Sequence, residues 1–332
     1  GDFDWVNELR DFDRCLYVLG NSALHRHAME ALLRRPGVVV AHDVRFGGLY
    51  RSLEPGWTEN PVWIREKLYG MYGDRIPPAA LRRAPEDPAV QDQFGIYMSQ
   101  EVQAHAEKLL VHSRYAADVL RMDRTPGTAT AETIVVGRGI PEAEIRGNGR
   151  GTAAPTVVSL ARGEHPEAID LLMHGFAAIA AERPGVRLVL LGRLEEGTGA
   201  RLGETASNLG LREAVSPLGE VEGDEYQRTL ASADVAVELR TSSDGEASEW
   251  ICDCLAARVP TVVSSVGWLA ELPEPAVLHV PRELSPGELA DTVGRVIDDP
   301  ELRQRIQASQ DSYAAANSYE RTAERYAELL EL

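Results

Sequence analysis

From about residue 155 onward, short runs of β-branched and aliphatic residues alternate with longer stretches of helical periodicity, and that alternation leaves few folds open. Consecutive strands joined through a helix can pair only in parallel, so a series of such units builds a parallel sheet with helices on its faces. The pattern predicts strands at 156–161, 187–191, 214–218, 235–239, 261–265 and 277–280. Helices are expected at 166–181, 200–208, 225–232, 247–257 and 286–297. In the first of these helices Ile169, Leu172, Phe176 and Ile179 recur at three- and four-residue steps, which places them on one face. This half reads as Rossmann-like.

The first half holds fewer units: strands predicted at 15–19, 37–41, 108–111 and 132–136, with a long helix-rich segment between the second and third. It reads as an incomplete doubly wound domain. A polar, glycine-rich stretch at 146–155, RGNGRGTAAP, separates the halves and is expected to act as a hinge linker. The predicted organisation is a domain at 1–150, a second at 151–310, and a helical tail at 311–332 that packs back across the hinge and offers Tyr313, Tyr319 and Tyr326 for docking. A chain of 332 residues is about twice the ~150 of one domain.

Charge narrows the partners. Asp plus Glu number 52 against 34 for Lys plus Arg, a net charge of −18. Phosphate backbones and anionic membrane surfaces are repelled at long range, so nucleic acid is not an expected partner. No run approaches the ~18 apolar residues of a membrane span, and the start GDFDW lacks the basic and apolar regions of a signal peptide. Three cysteines, Cys15, Cys252 and Cys254, are too few for a disulfide framework. A cytoplasmic location is expected. Oligomeric state has no signature in the sequence.

Common catalytic motifs are missing. Gly147, Gly149 and Gly151 imitate a dinucleotide loop but precede a strand instead of a helix, which marks a linker. No P-loop, HExxH or GxSxG occurs. His25, His27 and Glu30 lack a further well-placed ligand, so no metal site is expected, and no bound cofactor either.

A different constellation carries the function. Residues 245–264 read GEASEWICDCLAARVPTVVS, followed by Val266-Gly267 and Glu271-Leu-Pro273. Ser159-Leu-Ala-Arg162 precedes an amphipathic helix, and Leu190-Leu-Gly-Arg193 and Ala233-Asp-Val-Ala-Val-Glu-Leu239 follow. In the first half stand Tyr17-Val-Leu-Gly-Asn-Ser-Ala-Leu-His25, Val38-Val-Val-Ala-His-Asp43 and Val111-His-Ser113. Over roughly residues 12–328 the chain thus resembles the family 4 retaining glycosyltransferases, in a bacterial branch. The resemblance implies the GT-B fold, two Rossmann-like α/β domains facing a cleft, and transfer of a sugar from a nucleotide diphosphate-sugar to a hydroxyl of a sugar or small-molecule acceptor, in surface polysaccharide or natural-product glycosylation. It places the acceptor on the first domain and the donor on the second.

The same resemblance assigns residues. Arg162 would fork onto the diphosphate, helped by the turn Gly245, Glu246, Ala247 and Ser248, whose backbone N–H groups open a helix. Glu246 and His42 would hold the transferred sugar, the latter at the carboxyl end of a strand, where such sheets place ligands. Asp253 takes the place of a glutamate that grips the ribose, and Arg193 joins the donor side. Asn21, His25 and Asp43 are acceptor and sugar candidates within the matching motifs, and Trp57 and Trp63 join them because aromatic faces stack on sugar rings. Bland readings stand beside these: a surface cation for Arg162, dipole-favoured acids at Glu246 and Glu249, a solvated helix position for Asp253, a satisfied core histidine for His42, and a turn for Asn21. The aromatic segment from Leu49 to Tyr72 is either an acceptor lid or the buried face of a helix.

Three features depart from the family pattern. Its lysine five residues beyond the arginine is Glu167 here, Gly245 stands where the acidic partner of Asp253 is usual, and Arg258 replaces a glycine. No counterpart of the family's first strand and glycine-rich loop precedes residue 12.

Overall fold

A computed structural model describes residues 12–53, 61–84, 88–124, 130–143, 154–161, 166–194 and 196–330. The chain forms two compact units: Gly1–Gly137 with Asp244–Ala247, and Arg138–Ser243 with Ser248–Leu332. Each is built on a parallel sheet flanked by helices, and each is Rossmann-like.

In the first unit the strands are β1 (Leu16–Leu19), β2 (Gly37–Ala41), β3 (Ala106–Val111) and β4 (Glu132–Val135), laid side by side in chain order. All pair in parallel. The five residues of β2, Gly-Val-Val-Val-Ala, are buried on both faces, as an inner parallel strand requires. β1 lies at the edge and alternates instead, Tyr17 and Leu19 inward and Leu16 and Val18 outward. Between β2 and β3 the chain runs through helices Gly47–Leu53, Pro61–Tyr72, Pro78–Arg83, Pro88–Phe94 and Gln100–His105. Polar side chains lock this helical insert. Asp123 is 1% exposed and accepts hydrogen bonds from the Tyr72 hydroxyl (2.8 Å), the Ser99 amide (2.8 Å) and the Ser99 hydroxyl (2.6 Å). Burial pushes its carboxyl above the usual range, against the pull of those donors.

In the second unit the strands are β5 (Thr156–Leu160), β6 (Arg187–Leu191), β7 (Val215–Gly219), β8 (Val235–Glu238), β9 (Thr261–Ser264) and β10 (Leu278–Val280). Their order, β10-β9-β8-β5-β6-β7, grows outward in both directions from β5. Every strand and helix expected from the alternation is present within a few residues; the helix predicted at 200–208 starts earlier, at Glu196, and the one predicted at 247–257 starts later, at Glu249. Ser248 supplies the reason: its Oγ accepts the Ile251 N–H at 3.3 Å, so it is the cap and not part of the first turn. After the C-cap of that helix, Ala257, comes Arg258, which has φ of +61°, the left-handed conformation that explains why a glycine is usual there. Its guanidinium bonds Asp311 at 3.2 Å.

The tail forms helices Pro300–Ala316 and Tyr319–Leu330. Gln310 donates to the Val259 carbonyl at 2.7 Å, and the Ile140 N–H donates to Asn317 at 2.7 Å. Tyr313 is largely buried, which pushes its hydroxyl up to about 12. Of the predicted linker, residues 146–153 lie outside the described residues.

Candidate functional site

In an open parallel sheet the ligand crevice lies at the carboxyl ends of the strands where the order reverses. In the second unit that point is between β5 and β8, which pair through Val157–Val235, Val158–Ala236 and Ser159–Val237. A small pocket there is lined by Ser159, Ala161, Ala168, Glu238 and Arg240. Arg162 follows within a few residues but lies outside the described residues.

The end of β8 carries a buried ionic network that sequence reasoning missed. Arg240 Nε donates to Glu238 Oε1 at 2.5 Å, and the Ser248 hydroxyl donates to Glu238 Oε2 at 2.7 Å. Both charged residues are under 7% exposed. The Arg240 amide donates to Ser264 Oγ at 3.0 Å, so the network spans the ends of β8 and β9 and the start of the following helix. Ser248, expected as a donor ligand, therefore has its hydroxyl engaged inward as a cap. What the helix start can offer a ligand is main chain, the N–H groups of its first turn. Ala247 is half-buried just ahead of it.

Asp253 sits further along the same helix. Tyr226 donates its hydroxyl to Asp253 Oδ2 at 2.7 Å, and burial raises both groups above their ordinary values. Glu249 on the first turn pairs with Arg138. Cys252, buried beside them, is pushed up to about 12, and Cys254 well above its ordinary value, so neither supplies a thiolate near neutrality. Arg193 is elsewhere: it follows β6, is exposed, and pairs with Glu220 at 2.6 Å on the rim of a cavity of about 1170 Å³ between β7 and the helix Glu196–Asn208. Glu167 is exposed in the first turn of the helix Pro166–Glu182.

In the first unit the strand ends gather most of the remaining candidates. Asn21, just after β1, is a hub. Its amide accepts from Asn21's neighbours in space, the Gly48 N–H (2.6 Å) and Leu49 N–H (3.2 Å), its Nδ2 donates to Asp244 Oδ2 (3.1 Å), and its own N–H donates to Asp43 Oδ2 (2.6 Å). The side chain thus holds the start of the helix Gly47–Leu53 to Asp244. Arg45, 9% exposed, adds an ion pair to Asp244 at 3.0 Å and one to Asp92. Glu246 accepts the Asp244 N–H at 2.7 Å. Gly245 has φ of +99°, and a Cβ there would stand 2.5 Å from Val44 Cγ2. Only glycine fits both the conformation and the space.

His42 follows β2 and is half-buried, with its Nδ1 3.0 Å from Nε2 of His112, which follows β3. His112 Nδ1 is 3.3 Å from the Gly137 carbonyl. The sequence pointed to His112 only as part of a matching triplet. His25 Nδ1 contacts the Val18 carbonyl at 3.1 Å. Structure therefore brings Asn21, His42, Asp43, Gly245 and Glu246 into one unit, and Ser248 and Asp253 onto one helix of the other.

The aromatic segment divides. Ile64, Leu68, Met71 and Tyr72 are core, while Val62 is 55% exposed. Helical geometry accounts for it: at 3.6 residues per turn, position 62 lies about 160° round the helix from 64, on the face opposite 64, 68 and 71. Trp63 is half-buried, 6.5 Å from the Tyr50 ring, with Lys67 Nζ 5.8 Å over its face, beside a cavity of about 600 Å³. Trp57 lies outside the described residues. Among the described residues no group of His, Cys, Asp and Glu is arranged to hold a metal ion, and no helix is long and apolar enough to cross a membrane.

Comparison with known proteins places this geometry. The family of glycosyl transferases group 1 matches residues 142–311, just over half of the chain. Among solved structures, sucrose-phosphate synthase from Thermosynechococcus elongatus is similar over 99% of this chain and 75% of its own, with a TM-score of 0.69 at 16% identity. The Anabaena protein HepE, solved with UDP and glucose, covers 99% and 80% with a TM-score of 0.65 at 16% identity. WaaG, a glycosyltransferase involved in lipopolysaccharide biosynthesis, covers 98% and 81% with a TM-score of 0.62 at 15% identity. At such identities the likeness is one of fold, GT-B. No curated protein matches the chain in sequence.

Proposed function

The chain belongs to the group 1 glycosyl transferases, and from that premise we propose that it is a retaining enzyme that moves a sugar from a nucleotide diphosphate-sugar to an acceptor hydroxyl. The observation that carries this reading is the start of the helix Glu249–Ala256, capped from within by Ser248, beside the point of strand reversal. Its first-turn N–H groups present fixed positive potential to a diphosphate at no cost in reorganisation. Arg162 is assigned the same phosphates, so that the departing charge is met by a guanidinium and a helix end without need of a metal. As the bond to the leaving group stretches, the anomeric carbon becomes cationic, and groups that bind the separated charges better than the intact donor lower the barrier.

The other roles follow the chemistry of each group. Asp253, already accepting from Tyr226, is assigned a ribose hydroxyl. Glu246 and His42 are assigned hydroxyls of the transferred sugar, and His25, Asp43, Trp57 and Trp63 remain with the sugar and acceptor. Asn21 acts through the Asp244 contact instead. Arg193 is assigned the outer donor side. UDP and glucose, present in the HepE structure, are the first ligands to try, and acceptors of the surface-polysaccharide or natural-product type the first acceptors.

Binding to the folded state raises its melting temperature, so a panel of uridine, guanosine, adenosine and thymidine diphosphates at millimolar concentration tests the donor site. One base should raise the melting temperature by several degrees; a flat response from all four overturns the reading. With the responsive donor, an anomeric proton in the product of the same configuration as in the donor establishes retention, and inversion refutes it.

A second reading is favoured by one feature. Glu167, where the family has a phosphate-binding lysine, suits a non-catalytic nucleotide- or glycan-binding homologue that serves as a partner subunit. A nucleotide-binding homologue would answer the nucleotide panel and release no product, and a glycan-binding one would leave the panel flat and be stabilised by glycan alone. Free or altered sugar without acceptor product would instead indicate a hydrolase or epimerase on this scaffold.

A further inference from the structure

The paired histidines at the ends of β2 and β3 fix a chemical detail that neither the family nor the sequence supplies. A carbonyl oxygen can only accept a hydrogen bond. The 3.3 Å contact between His112 Nδ1 and the Gly137 carbonyl therefore places the His112 proton on Nδ1. In the neutral ring that leaves Nε2 as an acceptor, and Nε2 is the atom 3.0 Å from His42 Nδ1. His42 must then donate from Nδ1, which makes its own Nε2 the acceptor. The relay is rigid. His112 is 5% exposed directly after the inner strand β3, Ser113 beside it caps the helix Arg114–Asp123 through the Ala116 N–H at 3.0 Å, and the two rings lie 5.1 Å apart between centroids.

We propose that His112 is a positioning residue that holds His42 in the Nδ1–H tautomer, so that His42 meets a hydroxyl of the transferred sugar as a hydrogen-bond acceptor and not as a donor. The inference rests on the sugar-binding role given to His42 above. It has a consequence for specificity: a sugar that presents an O–H at this position is held, and one that presents only an acceptor, such as a deoxyfluoro sugar, leaves Nε2 without a proton to receive.

The test is the tautomer itself. In protein labelled with [15N]histidine, long-range 1H–15N correlation at pH 8 distinguishes Nδ1–H from Nε2–H rings, and His42→Gln identifies the His42 signals by their loss. Wild-type His42 should show the Nδ1–H pattern, His112→Gln should keep it because the amide oxygen replaces the Nε2 acceptor, and His112→Leu should lose it. An Nε2–H pattern for wild-type His42 overturns the proposal, and so does a pattern indifferent to His112→Leu. The wild-type spectrum decides even if His112→Leu does not fold. In transfer assays His112→Leu should reduce kcat about tenfold or more, the usual scale for losing an orienting partner, with His112→Gln recovering most of it and the nucleoside diphosphate melting shift unmoved in both. A flat nucleotide panel together with an Nδ1–H His42 would remove the transferase reading and leave the tautomer assignment in place.

Discussion

The two sheets solve the same problem with different means. In the second unit the strands extend both ways from β5, the order reverses once, and the crevice follows from the topology. In the first unit the four described strands run in one direction only. There the site is marked by side chains: Asn21 bridging the Gly47–Leu53 helix to Asp244, Arg45 pinned between Asp92 and Asp244, and His42 against His112. Each unit also buries a carboxylate, by opposite strategies. Asp123 is held by neutral donors and has a raised pKa, whereas Glu238 is held by a guanidinium and a serine.

Breaking each device in turn sharpens the contrast. The largest effect is expected from Glu238→Ala, which takes away the buried carboxylate that both the Arg240 guanidinium and the Ser248 hydroxyl bond. A loss of about 3–5 kcal/mol in urea unfolding is expected, and a loss under 1 kcal/mol would show that the network contributes little. Next comes Gly245→Ala in the first unit. A methyl 2.5 Å from Val44 Cγ2, on a backbone at φ of +99°, should cost about 2–4 kcal/mol, and a melting curve superimposable on wild type would refute the packing argument. Its mirror in the second unit is Arg258→Gly. Relief of a left-handed non-glycine residue should outweigh the loss of the Asp311 pair and raise stability by up to about 1 kcal/mol; measured destabilisation would show the ion pair to be the stronger.

The smallest effect is read as a slope. Asp253 has a folded-state pKa raised by burial, so above the unfolded value the folded protein binds the extra proton, and this group's contribution to stability falls as pH rises through the folded pKa. Asp253→Asn removes that term. Its stability relative to wild type should improve as pH is taken from about 4 to 7, and a difference independent of pH would place Asp253 in solvent, as the bland reading had it.

Particular residues show where legibility stopped. The apolar face Ile169, Leu172, Phe176 and Ile179 was readable because periodicity is a property of consecutive residues, and all four are buried. The helix-rich segment between β2 and β3 was recognised only in outline, since its closure depends on Asp123, Ser99 and Tyr72, which are far apart in the chain and of ordinary type. Glu238 and Arg240 are two residues apart in the chain, but their partners Ser248 and Ser264 come from later elements that periodicity does not link to them. Nothing in the neighbours of Asp244 says that Asn21 and Arg45 await it more than 190 positions earlier.

By itself the sequence determined the strand and helix succession, because hydrophobic period is local and survives without knowledge of the fold, and its resemblance to known glycosyltransferases implied the GT-B class that the structure has. Only the tertiary structure decided that the Ser248 hydroxyl turns inward to Glu238, that Asn21 is a clamp, and that His42 carries its proton on Nδ1. The physical reason is that a polar side chain's role is set by which donor or acceptor reaches it, and those partners come from distant parts of the chain that only folding brings within 3 Å.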